Sequence, residues 1–125
     1  MTTDLNATPD YDGLVQALVE KTKAGRLVWE ETADENAFLA SVKGKRTFEI
    51  RLEPCPPGSV EAVLAAAEKG VTVYEAVLVV RDGNGKVLLE TPPSSLTSDL
   101  HGLARRIARH VDENIDSTLQ LLEQL

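Results

Sequence analysis

The side chains able to do chemistry in this 125-residue chain are few and scattered. His101 and His110 are its two histidines and Cys55 its one cysteine. A zinc-type centre needs three or four ligands brought together. Nine residues apart on a helix, the two histidines sit about half a turn out of phase and face opposite directions. His110 and Glu113 are one turn apart, but no cysteine or third histidine joins them. Cys55 could act as a nucleophile with a histidine beside it and a setting that stabilises its thiolate. Its place in Pro54-Cys55-Pro56-Pro57 supplies neither.

Asp82-Gly83-Asn84-Gly85 shares the start of a calcium loop, without the third acidic position or the closing glutamate. Its glycines and asparagine suit a hairpin turn instead, because they tolerate positive φ. A strand follows them rather than a helix, so they build no phosphate cradle. Glu30 and Glu31 are strand neighbours and point to opposite faces, so they do not converge as an acid–base pair. The basic clusters Lys43, Lys45, Arg46 and Arg105, Arg106, Arg109 lack interleaved aromatics for stacking bases. Surface ion pairs, Arg109 with Glu113 among them, are their expected use. The residues thus assign no catalytic group, no cofactor and no metal, and point away from an enzyme.

The elements that would position these groups are easier to read. Thr8-Pro9-Asp10 has the cap, first-turn proline and acid of a helix start, and Tyr11, Leu14, Val15, Leu18 and Thr22 continue at helical spacing to a stop at Gly25. Leu27 to Thr32 alternates, with Leu27 and Trp29 on one face. A turn at 33–36 leads to a strand over Ala37 to Lys43 and, after Gly44-Lys45, to the clearest strand, Thr47 to Glu53. Phe48, Ile50 and Leu52 point one way there, and Thr47, Glu49, Arg51 and Glu53 the other. One dry face and one wet face mean an antiparallel sheet.

Three prolines among residues 54–57 break the ladder. Ser59 to Lys69 reads as a short helix ended by Gly70, with an irregular strand as the alternative. Val71 to Arg81 is apolar on both faces, as an inner strand would be. Lys86 to Thr91 returns with Val87 and Leu89 facing in. Ser94, Ser95 or Ser98 then caps one long amphipathic helix over about Leu96 to Gln124, whose stripe runs Leu100, Leu103, Ile107, Val111, Ile115, Thr118, Leu122 and Leu125. The fold class expected is therefore α+β. About five antiparallel strands carry an N-terminal helix and a long C-terminal helix on one face, in one domain over 1–125 with residues 1–7 disordered.

Composition bounds the function. Twenty acids against thirteen bases give a net charge of −7, which repels phosphate backbones and anionic membranes and argues against nucleic acid. No apolar run approaches the roughly 20 residues of a membrane span, and no secretory signal is expected from Met1-Thr2-Thr3-Asp4. A lone cysteine fits a reducing cytoplasm.

At about 1.5 Å per residue the last helix would be some 42 Å long, more than a body with a radius of gyration near 14 Å needs. Its end, Leu119, Leu121, Leu122 and Leu125, stays apolar and either folds back onto the first helix or is a contact for a partner or a second copy. Trp29 is a further candidate if exposed, although the Leu27–Trp29 alternation favours the core.

The run Thr22-Lys23-Ala24-Gly25-Arg26-Leu27-Val28-Trp29-Glu30-Glu31-Thr32 resembles a T-x-x-G-x-L-x-W-x-x-T signature of small, uncharacterised, mostly bacterial proteins. Those proteins also carry a following phenylalanine, here Phe38, an Asp-x-x-Gly hairpin and a closing leucine-rich helix. The resemblance implies a fold and no activity. A non-catalytic interaction or self-associating domain is the first functional expectation. A toxin-immunity or phage-defence inhibitor is the alternative, and an enzyme with an unrecognised site comes last.

Overall fold

The alternation at Thr47 to Glu53 builds the centre of the molecule. In the computed structural model, which describes residues 8–56, 58–67 and 73–125, this run is the middle strand of a five-stranded antiparallel meander ordered β1-β2-β3-β4-β5. The strands are β1 (Glu30–Glu31), β2 (Ala37–Val42), β3 (Arg46–Pro54), β4 (Tyr74–Asp82) and β5 (Val87–Glu90). Among the described residues four helices accompany them: α1 (Tyr11–Lys23), α2 (Val60–Ala67), α3 (Ser95–Ala108) and α4 (Val111–Glu123). The expectations for residues 1–7 and for Gly70 and Val71 lie outside the described residues.

One sheet face is dry. Phe38 and Ala40 of β2, Phe48 and Ile50 of β3, and Ala76, Leu78 and Val80 of β4 form a single buried cluster with Val15, Leu18 and Val19 of α1 and Leu100, Ala104 and Ala108 of α3. The outer face is held by charge. Glu49 Oε1 accepts from Arg81 Nη1 at 3.0 Å, and Arg51 reaches Glu53 at 2.6 Å and Glu90 at 3.5 Å. Arg51 lies on β3 and Glu90 on β5, so the guanidinium must cross β4, over Val77 and Val79. That canopy explains an inner strand apolar on both sides: Val77 is 6% and Val79 0% exposed.

Tertiary geometry corrects several local expectations. The cap of α1 is Asp10, whose carboxylate accepts from Gly13 N at 3.0 Å, two residues beyond Thr8. A bulge on β5 sets Val80 opposite Leu89 and Arg81 opposite Val87. Val87 therefore turns to the outer face, 46% exposed, while Leu89 alone of the pair packs on the core. Residues 60–67 form the short helix that the Ala-rich run favours, with Val60, Val63 and Leu64 exposed. The largest correction is at the C-terminus. The expected continuous helix is two helices, divided at Arg109–His110.

Trp29 belongs to the core. It is 1% exposed, and its Nε1–H donates to Thr22 Oγ1 at 3.0 Å while that hydroxyl donates to Leu18 O at 2.7 Å. Gly25, at φ +73°, closes α1 with a paired cap: Arg26 N–H reaches Lys21 O and Gly25 N–H reaches Thr22 O. The chain is thereby turned so that Leu27 and Trp29 enter the same cluster.

Replacing Thr22 by valine keeps the shape and orphans a buried indole N–H, which costs on the order of 1–3 kcal/mol. Trp29→Phe alone costs at least as much through lost volume. In denaturant unfolding, the Thr22→Val/Trp29→Phe double variant should be more stable than the two single losses add to. Strict additivity would show that the pair carries no coupling.

Candidate interaction surface

The break between α3 and α4 contains neither proline nor glycine. His110 takes the left-handed conformation, φ 50° and ψ 46°, at the position after the α3 cap where glycine is usual. Histidine visits that region more readily than most residues, but the conformation still costs roughly 1 kcal/mol or more. Neighbouring contacts offset it. Asn114 Nδ2 donates to Arg109 O at 3.0 Å, and Arg106 grips Asp112 Oδ1 through Nε at 3.1 Å and Nη2 at 3.0 Å, across the bend.

Arg109 fastens the end of α3 to the turn before β2. Its Nη2 donates to Glu35 O at 2.6 Å, its Nε lies 3.6 Å from Glu31, and its guanidinium stands 5.7 Å over the Phe38 ring. Arg109 thus pairs with Glu31 and the Glu35 carbonyl, not with Glu113 as expected for one unbroken helix. Glu31 reaches Arg109, while Glu30 stands opposite Leu39 in the register of β1 and β2.

About two turns earlier on α3, His101 is 7% exposed, against Phe38 at 5.4 Å between ring centroids. Its Nε2 lies 3.0 Å from Asn36 O. A carbonyl can only accept, so Nε2 carries the proton and donates. Burial pushes the imidazole below its ordinary value of 6.5, against the pull of that hydrogen bond, and Arg105 and Arg109 add to the depression. His110 is exposed.

Beside the bend, an open cleft of about 530 Å³ lies between β1 and the start of α4. Its polar lining is Glu30, Glu31, Asp112 and Glu113 with Arg106 and His110. Glu31, Asp112 and Arg106 are already in ion pairs, with side chains 59–62% exposed. Among the described residues no three of His, Cys, Asp and Glu stand close enough to hold a metal ion. The Cys55 thiol donates to Glu75 Oε2 at 3.8 Å. Asp82 Oδ1 is taken by the Asn84 and Lys86 amides of its own hairpin.

α4 itself is different in kind. It buries none of its 13 residues against the described chain. Ile115 is 52%, Leu119 53%, Leu121 64%, Leu122 58% and Leu125 99% exposed. A groove of about 410 Å³ runs from Arg109 past Val111 and Ile115 to Leu119. Of the residues singled out by sequence, the leucines therefore gather on one exposed helix, and Trp29 lies in the core, away from them. Among the described residues, no helix is long and apolar enough to cross a membrane. No family model, curated protein or solved structure matches the chain.

His101 gives a pH dependence with a definite sign. Its pKa is lower in the folded chain than the ordinary 6.5, so the unfolded chain takes up a proton first as pH falls. Stability is complete above pH 6.5 and declines below it, toward the depressed folded value. Thermal midpoints measured from neutral pH down to where carboxylates begin to titrate, near pH 4–5, should fall. His101→Gln should flatten that decline; an unchanged slope would assign it to other groups.

Proposed function

We propose that this chain is a non-catalytic protein-interaction domain whose contact element is α4. One observation carries the reading: four large apolar side chains, Ile115, Leu119, Leu121 and Leu122, stand 52–64% exposed on a helix that buries none of its residues, and Leu125, just past its end, is 99% exposed. Isolated exposed leucines are ordinary, but a contiguous set on one helix face is the usual mark of a contact surface. Energetics support it as well. An unpacked helix of 13 residues is marginal in water, and a partner laid along its apolar face supplies the missing burial. A reducing, cytoplasmic setting suits a chain with one cysteine.

Photo-crosslinking in the native cells tests this. A benzophenone side chain at position 122, on the apolar face, should give a discrete protein adduct. The same probe at position 120, on the polar face, should give none. Equal labelling at both positions, or none at 122, would overturn the reading.

A further inference from the structure

We propose that the occupant of the apolar face of α4 is α4 of a second copy of this chain, packed antiparallel against it. The inference rests on the interaction reading above and names the partner. Its first support is spacing. Val111, Ile115, Thr118, Leu122 and Leu125 follow one another at steps of four, three, four and three residues, the seam of a two-helix coiled coil. Thr118 does not spoil the seam, because its hydroxyl donates to Asn114 O at 2.6 Å and leaves its methyl to the partner. Leu119 and Leu121 flank the seam, one on each side.

Charge selects the partner. Three of the four acids of α4, Glu113, Asp116 and Glu123, project away from the seam at about 100° per residue, the fourth, Asp112, on the flank it shares with Leu119, is already held by Arg106, and the helix has no basic residue. A basic partner lying along the seam would find no acid there to pair with. An acidic helix identical to α4 would meet no like charge, because its own acids also turn outward. The seam is thus complementary to itself.

Charge also selects the direction. Each copy carries −7. Parallel pairing would hold both bodies at the same end. Antiparallel pairing sets them at opposite ends of a helix about 20 Å long, beyond the ~8 Å screening length of physiological salt, and opposes the two helix dipoles. Layers across such a pair bring Ile115 against Leu125 and Thr118 against Leu122. A helix about 20 Å by 10 Å offers less than the ~800 Å² per partner of a standard interface. The pair should therefore be reversible, with a dissociation constant in the micromolar range.

Sedimentation equilibrium of the full chain over a concentration series should show monomer and dimer. Leu122→Glu should weaken the dimer at least about tenfold, with the far-ultraviolet circular dichroism and the melting curve at high dilution unchanged. Gln120→Glu should leave association as it was. In a Cys55→Ser background, Thr118→Cys mixed with Leu122→Cys should form the mixed disulfide faster than Leu122→Cys links to itself. A strict monomer, a dimer indifferent to Leu122→Glu, or faster Leu122→Cys self-linkage would each overturn the proposal. A monomer that still crosslinks through position 122 to a different protein would remove the second copy and leave the interaction reading standing. No adduct at 122 would remove both.

Discussion

The width of the dry sheet face decides where each helix goes. Five strands spaced about 4.8 Å apart span roughly 19 Å between the outer axes, and a helix with its side chains takes about 10 Å. Two helices fill that face, and α1 and α3 are those two. Small residues let α3 sit low: Ala104 and Ala108 face the strands, 0% and 8% exposed. A third amphipathic helix has no dry strand left to cover. The outer face cannot receive it, because Glu49, Arg51, Arg81 and Glu90 already lie across β4 in a linked set of ion pairs. The exposed stripe of α4 follows from a shortage of sheet, not from loose packing elsewhere.

The residues of the tryptophan-containing signature are spent on this architecture. Thr22 holds the indole, Gly25 supplies the left-handed turn, and Leu27 and Trp29 fill the core. Thr32 donates to the carbonyls of Asp34 and Ala37 at 2.9 Å and so shapes the turn into β2. The signature is a means of joining the first helix to the sheet. The same holds for buried polarity generally: among the described residues, each buried side-chain nitrogen and oxygen has a partner.

Much of this was legible in the residues because local pattern and tertiary demand agreed. Phe48, Ile50 and Leu52 alternate with charge, and β3 is central. Gly25 ends α1, Ser94 caps α3 with Thr97 in return, and Asp82 to Gly85 is a hairpin. The exposure of Leu119, Leu121, Leu122 and Leu125 was open to sequence only as an alternative to packing on α1. Misses came where a neighbour outvoted the pattern. Val87 reads as an inward residue until the extra residue on β5 turns it out. Arg109 reads as a partner of Glu113 one turn away until the bend removes the turn.

The bend shows how such a miss could have been avoided. Hydrophobic period runs straight through it, from Leu100 to Leu125, so period alone gives a rod. Charge does not run straight through. Arg105, Arg106 and Arg109 cluster where a helix ends, and Asp112 and Glu113 follow where a helix begins, each sign matched to the dipole it meets. Bases followed at once by acids are a stop and a start, with His110 as the residue between them able to take the left-handed turn. The bend also separates two jobs that one rod would have confused. α3 keeps its apolar face on the strands, pinned there by Arg109 and His101, while α4 leaves in a direction of its own with its stripe uncommitted. A continuous helix would carry a single stripe past the edge of the sheet. Two helices carry two separate apolar faces, one on the strands and one exposed.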